Sequence, residues 1–161
     1  MMGIGFVRRM TCGAAVFAAC GAALAQDADR RRAPAYLGPS AIAVSADGRT
    51  LCAALSEARQ LAVVDLSTKR VIRKVPTPAE PTGLALSRDG QRIYVTCAAP
   101  VGSVLEIDAS SGRTIASLPA GHGATAPTLS PDGNRLYVCN RFDHNVSTID
   151  LDLRKQRARV A

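Results

Sequence analysis

Ser45-Ala46-Asp47-Gly48 returns as Ser87-Arg88-Asp89-Gly90 and again as Ser130-Pro131-Asp132-Gly133, at steps of 42 and 43 residues. An apolar run follows each glycine: Leu51-Cys52-Ala53, Ile93-Tyr94-Val95 and Leu136-Tyr137-Val138. A second landmark keeps the same period, with Val63-Val64-Asp65 matched by Glu106-Ile107-Asp108 and Thr148-Ile149-Asp150. Two independent landmarks on one period define a tandem repeat, and a repeat of this length is one supersecondary unit that buries its faces on its neighbours.

Each unit reads as four short strands. In the middle repeat these are Thr82 to Ser87, Arg92 to Cys97, Val104 to Asp108 and Arg113 to Leu118. Asp-Gly between two apolar runs is a hairpin signal, because glycine takes positive φ at no steric cost. The aspartates at 65, 108 and 150 end strands, where a short carboxylate accepts from turn amides. No helical periodicity competes with this pattern after the N-terminus, so the fold class expected is all-β. Four strands every ~40 to 45 residues is the spacing of β-propeller blades. The expected architecture is three four-stranded antiparallel blades over about 40–81, 82–124 and 125–161.

Ser130-Pro131-Asp132-Gly133 through Tyr137-Val138-Cys139-Asn140 and on to Asp150 resembles the YVTN family of β-propeller repeats. Tyr94-Val95-Thr96-Cys97 carries three of the four signature letters, with cysteine in place of asparagine, while the first repeat departs further with Leu51-Cys52-Ala53-Ala54-Leu55. The resemblance covers roughly residues 40 to 160.

A propeller ring takes typically about four to eight blades, so three blades make an incomplete ring. Neither end reads as a cap: Arg154 to Ala161 is a basic last strand, and Ala28 to Leu37 contains Arg30-Arg31-Arg32 and Pro34. Three arrangements satisfy the bare end faces: a piece of a longer propeller, self-association of two arcs into a six-bladed ring, or a curved open array.

At the N-terminus Arg8 and Arg9 precede an uncharged, alanine-rich stretch from Met10 to Leu24, which ends at Ala23-Leu24-Ala25. A basic start, a short apolar middle and small residues before the cut describe a signal peptide over 1–25, cleaved after Ala25, with 26–39 as linker. Phe17-Ala18-Ala19-Cys20-Gly21 is similar to a bacterial lipobox, with phenylalanine replacing the usual aliphatic residue, so a lipoprotein through Cys20 is the competing reading. Both routes place the chain in the periplasm, outside the cell or on its surface. The apolar stretch falls below the roughly 18 residues of a membrane span, and no transmembrane segment is expected.

The net charge of +7 drops to +5 when Arg8 and Arg9 are removed. The excess is clustered in Arg30 to Arg32, in Lys69, Arg70, Arg73 and Lys74, and in Arg154, Lys155, Arg157 and Arg159. A nucleic-acid surface adds stacking aromatics to such clusters, whereas this chain has no tryptophan and three tyrosines. Solvated strand edges that discourage edge-to-edge pairing fit better, and no nucleic-acid partner is expected. Cys52, Cys97 and Cys139 remain after the leader, an odd number at wide spacing with no Cys-x-x-Cys or Cys-x-x-Cys-His. They read as small core hydrophobes. Cys97 and Cys139 sit at adjacent registers of equivalent strands, and no disulfide is expected between them.

With strands running outward from the axis, the second-to-third-strand loops and the interblade loops share one face. Both histidines fall there, His122 and His144, beside Arg141 and Asp143. Two imidazoles and a carboxylate are ligands a transition metal accepts; the plainer reading is hydrophilic loop residues forming a binding surface, with no metal, no cofactor and no catalytic residue. The aspartates at 47, 89 and 132 read as turn residues rather than calcium ligands, being one per blade. No Gly-x-Ser-x-Gly elbow occurs, and Gly121-His122-Gly123 lacks the lysine of a phosphate loop.

The family resemblance implies an extracytoplasmic accessory role: a binding or scaffold module for a protein, a redox partner or a surface component. An enzyme fragment is the alternative, since related propellers include gluconolactonase-type lactonases and haem-associated oxidoreductases. The inner-strand segments Ile42-Ala43-Val44, Leu84-Ala85-Leu86 and Pro127-Thr128-Leu129 offer no ligands for such chemistry.

Overall fold

The computed structural model describes residues 36–160, and these form twelve strands without a helix. The expected signal peptide and most of the expected linker lie outside the described residues. Blade one is β1 (Pro39–Val44), β2 (Thr50–Leu55), β3 (Gln60–Asp65) and β4 (Arg70–Pro76). Blade two is β5 (Glu80–Leu86), β6 (Arg92–Ala98), β7 (Ser103–Asp108) and β8 (Thr114–Pro119). Blade three is β9 (Ala124–Leu129), β10 (Arg135–Asn140), β11 (Asn145–Asp150) and β12 (Lys155–Val160).

Every blade is an antiparallel meander whose spatial order is its sequence order. The innermost strands lie together, β5 packing between β1 and β9. The ring is open, and the three blades form an arc. The third-to-fourth strand pairing slips at the same place in each blade, at Val63/Val64, Glu106/Ile107 and Thr148/Ile149. A bulge there adds twist to the outer half of the blade.

The repeated Ser-x-Asp-Gly builds one turn three times. The glycine amides of 48, 90 and 133 each donate to the serine carbonyl at 2.9 Å, with glycine φ of 68, 71 and 78°. Each aspartate accepts from its serine hydroxyl and from a following amide, that of Arg49, Gln91 or Asn134. Those donors, the serine first, hold all three carboxyls below the usual range. The aspartates are spent on turn geometry. Asp65, Asp108 and Asp150 do the same at the strand ends, accepting amides of Thr68, Ser111 and Leu153.

The core lies in the two seams between blades. The first joins Cys52, Leu61, Val63 and Val75 to Ile93, Val95, Cys97, Leu105 and Ile107. The second joins Tyr94, Val104 and Leu118 to Leu136, Val138 and Ile149. Each fully buried aliphatic contributes about 1.5 to 3 kcal/mol of hydrophobic burial. Arg70, Arg73 and Lys74 lie on β4 and Lys155, Arg157 and Arg159 on β12, both outermost strands. Placement on sheet edges is what the charge clusters suggested.

One expectation needs correction. Cys52 and Cys97 are buried core residues, but Cys139 is exposed. Alternation along β10 turns Cys139 to the side of blade three that no blade covers; its equivalent in blade two, Thr96, is buried. All three are free thiols, and burial raises Cys52 and Cys97 to about 11.

Candidate functional site

The polar surface around the two histidines grows from Asn140. This residue ends β10 pointing into the second seam and is almost fully buried. Its Oδ1 accepts the Gly121 amide at 2.8 Å, and its Nδ2 donates to Asn145 Oδ1 at 2.6 Å and Ser147 Oγ at 2.8 Å. A buried carboxamide satisfied on both ends fixes its neighbours, because any displacement strands a desolvated donor or acceptor. It therefore clamps the interblade loop 120–123 to the turn 141–144.

Backbone bonds continue the clamp. Phe142 donates to the His122 carbonyl at 3.2 Å, and Arg141 to the Gly123 carbonyl at 3.3 Å. The Gly123 amide reaches back to the Ala99 carbonyl at 3.2 Å, tying in blade two. Asp143 Oδ2 accepts the His122 backbone amide at 2.9 Å and pairs with Arg159 Nη1 at 3.5 Å. Gly121 must be glycine: a Cβ there would sit 2.5 Å from Asn140 Cγ and against the Asp143 carboxylate.

On this base the side chains form a platform. The His122 and Phe142 rings lie 4.7 Å apart at 45°, and the Arg141 guanidinium carbon is 5.5 Å from the Phe142 centroid. Phe142 is 57% exposed. His144 sits on the same turn with φ of 52°. The sequence places His122, Arg141, Asp143 and His144 on one loop face; the structure bonds His122 to Asp143 directly and ties Arg141 to them only through Phe142 and Gly123. It does not join them as a metal centre: among the described residues no three of His, Cys, Asp and Glu gather to hold an ion. Asp143 is engaged by a backbone amide and an arginine. Phe142, Asn140 and Arg159 were missed as site residues, although Asn140 is the last letter of the Tyr-Val-x-Asn signature.

A second hollow lies at the opposite end of the blades, in the first seam. It is an open cleft of about 670 Å³ with an apolar floor of Cys52, Val63, Leu86 and Ile93, edged by Arg88 and Asp89. Its origin is legible residue by residue. Cys52 stands four positions after the turn glycine, where blades two and three carry Tyr94 and Tyr137. The smaller side chain leaves the seam unfilled.

No protein-family model matches the sequence, and no curated protein matches it. Solved structures do. Hydrazine synthase of Kuenenia stuttgartiensis is similar at 26% identity and a TM-score of 0.71, covering 77% of this chain and 36% of that one. U3-55K matches at 13% identity and a TM-score of 0.70, with 77% and 39% covered. The WD40 repeats of RRP9 match at 12% and 0.69, with 77% and 38% covered. The chain thus spans well under half the length of these structures. The two likenesses at low identity show the fold, and the fold is a β-propeller arc.

Proposed function

We propose that the chain is an extracytoplasmic YVTN-type propeller module whose loop face at the second seam binds a protein, a redox partner or a surface component. The observation that carries this reading is the exposed Phe142 ring, held between His122 and Arg141 on a base clamped by Asn140. A large aromatic beside an arginine on a rigid mount has the composition of an interface anchor, since little conformational entropy is left to lose on binding. The leader-like N-terminus and the YVTN resemblance supply the extracytoplasmic half of the proposal.

The double variant Phe142→Ser with Arg141→Glu tests the face. Partner recovery from extracytoplasmic extracts, quantified by mass spectrometry against the parent chain, is expected to fall at least tenfold with an unchanged melting curve. Equal recovery places the binding surface elsewhere. Export is tested by the N-terminus of the mature protein, expected at Gln26. An acylated Cys20 supports the lipoprotein route, and an intact leader sinks export.

A second reading makes the arc part of an oxidoreductase, and the likeness to hydrazine synthase favours it. Haem absorbance co-eluting with the chain and its partner is the outcome that supports it; a haem-free complex removes it.

A further inference from the structure

The cleft in the first seam lies where the second seam holds a tyrosine ring. Cys52 pairs across its blade with Val63, and at the equivalent place in blade two Tyr94 pairs with Glu106. Tyr94 is buried in the second seam, and Ala116, Leu129 and Leu151 pack against the cluster it belongs to. The positions equivalent to those three in the first seam are Arg73, Leu86 and Ala109. Register fixes the first two, since Arg73 pairs with Val63 as Ala116 does with Glu106, and Leu86 with Ile93 as Leu129 does with Leu136. The third follows from the turns, where Ala109 and Leu151 each donate at 3.0 Å to the carbonyl just after their own blade's Asp-Gly.

Arg73, Leu86 and Ala109 all line the cleft, with Cys52, Val63 and Ile93 beneath them. The cleft thus has the walls of the Tyr94 site. Two exchanges open it, cysteine for tyrosine and alanine for leucine, and both remove apolar bulk from one spot. Val63 in place of Glu106 keeps its floor apolar.

The mouth is charged. Asp47 and Asp89 each accept a serine hydroxyl and a turn amide, and Asp108 accepts Ser110, Ser111 and Arg92. Those carboxylates are committed to their own turns. The two arginines at the mouth are not so engaged: Arg73 gives Nη1 to the Ala109 carbonyl at 3.0 Å, and Arg88 stands exposed on its turn. Among the described residues neither is paired with a carboxylate. Blades one and three carry Ala46 and Pro131 at the place of Arg88, so the second seam's turn lacks this cation.

We propose that the first-seam cleft binds a small monocyclic aromatic acid, its ring placed as Tyr94 is in the second seam and its carboxylate on Arg73 and Arg88. The ring is the occupant because the cleft is made by removing one, with its surrounding walls retained. Guanidinium meets a carboxylate with matching charge and a planar fork of donors. A volume of about 670 Å³ with an apolar floor and a few convergent polar groups is the usual make-up of a small-ligand site. The cleft lies at the opposite end of the blades from Phe142, so this site is separate from the loop-face reading and does not depend on it.

Phenylacetate is the probe, titrated into the full chain by calorimetry and followed at the methyl groups by NMR. Saturable binding of one molecule per chain is expected, with shifts at Val63, Leu86 and Ile93. Cys52→Tyr and Ala109→Leu each restore a residue that fills the second seam, and each is expected to weaken binding tenfold or more. Ala109→Leu alters an exposed turn and serves if the tyrosine variant does not fold. Arg88→Gln is expected to weaken phenylacetate about tenfold, the cost of one charge-assisted hydrogen bond, and to leave the melting curve unchanged. Absence of saturable binding overturns the site. So does binding that both filling variants leave intact, or that benzylamine matches in affinity. Loss of partner capture in the Phe142 variant touches none of these outcomes, so the two proposals fail separately.

Discussion

The two seams share one geometry and differ in what fills it. The first is apolar throughout its core and incompletely filled, because Cys52 occupies the place that Tyr94 takes in the second. The second is filled but carries polar groups: Glu106 stands where blade one has Val63, and Asn140 where blades one and two have Leu55 and Cys97. Glu106 pairs with Arg154 at 3.1 Å and Arg92 at 3.4 Å. The loop platform grows only from the second seam, since only there does a buried asparagine reach out to fasten both loops. A repeat backbone tolerates these exchanges because each seam is a separate nearest-neighbour contact. Adhesion is common to both seams, and the platform belongs to the second.

The comparison breaks most severely in the apolar seam. Ile107 is fully buried there, and Ile107→Ala is expected to cost about 3 kcal/mol through lost burial and the cavity left behind. Urea unfolding reads it; a loss under ~1 kcal/mol would show that the seam collapses around the gap. Asn140→Leu restores blade one's residue in the polar seam and leaves the Gly121 amide without its acceptor, for an expected loss of about 2 kcal/mol. Amide exchange at Gly121 and His122 should quicken at the same time. Unchanged exchange there means that the backbone bonds alone hold the loop.

Cys52→Tyr places in the first seam the residue that fills the second. Gains from cavity filling are typically about 1 kcal/mol, so the melting temperature is expected to rise and the cleft to close. A fall instead means that the floor residues Val63 and Ile93 have no room to admit the ring.

The blades, their turns and their order were legible because period, Asp-Gly hairpins and strand-ending aspartates are local signals that agree with one another. The loop face was legible too, because alternating loops of a meander must emerge on alternate ends. The platform's residues were less so. Phe142 reads as one loop aromatic until the backbone bonds to 122 and 123 bring it onto His122. Arg159 reads as an edge charge until β12 pairs beside β11 and carries it to Asp143. Cys139 was misjudged because its burial depends on whether a blade lies beyond it, which no local pattern states.

The smallest effect separates what Glu106 contributes from what the surrounding apolar contacts contribute. Its carboxylate is largely buried, but Arg154 is half exposed and Arg92 about a third exposed, so water and salt reach the cationic side of the cluster. A pair of that kind is worth ~0.5 kcal/mol rather than the several of a fully buried bridge, because the arginines are resolvated when the acid is removed. Glu106→Val, which copies blade one's Val63, is therefore expected to lose roughly 0.5 kcal/mol in dilute buffer. The difference should vanish near ~1 M salt, where screening acts within about 3 Å. Denaturation midpoints of parent and variant across a salt series decide it. A larger loss that salt does not change would mean that the arginines stay desolvated without their acid, and the second seam would then depend on its charges as strongly as the first depends on its aliphatics.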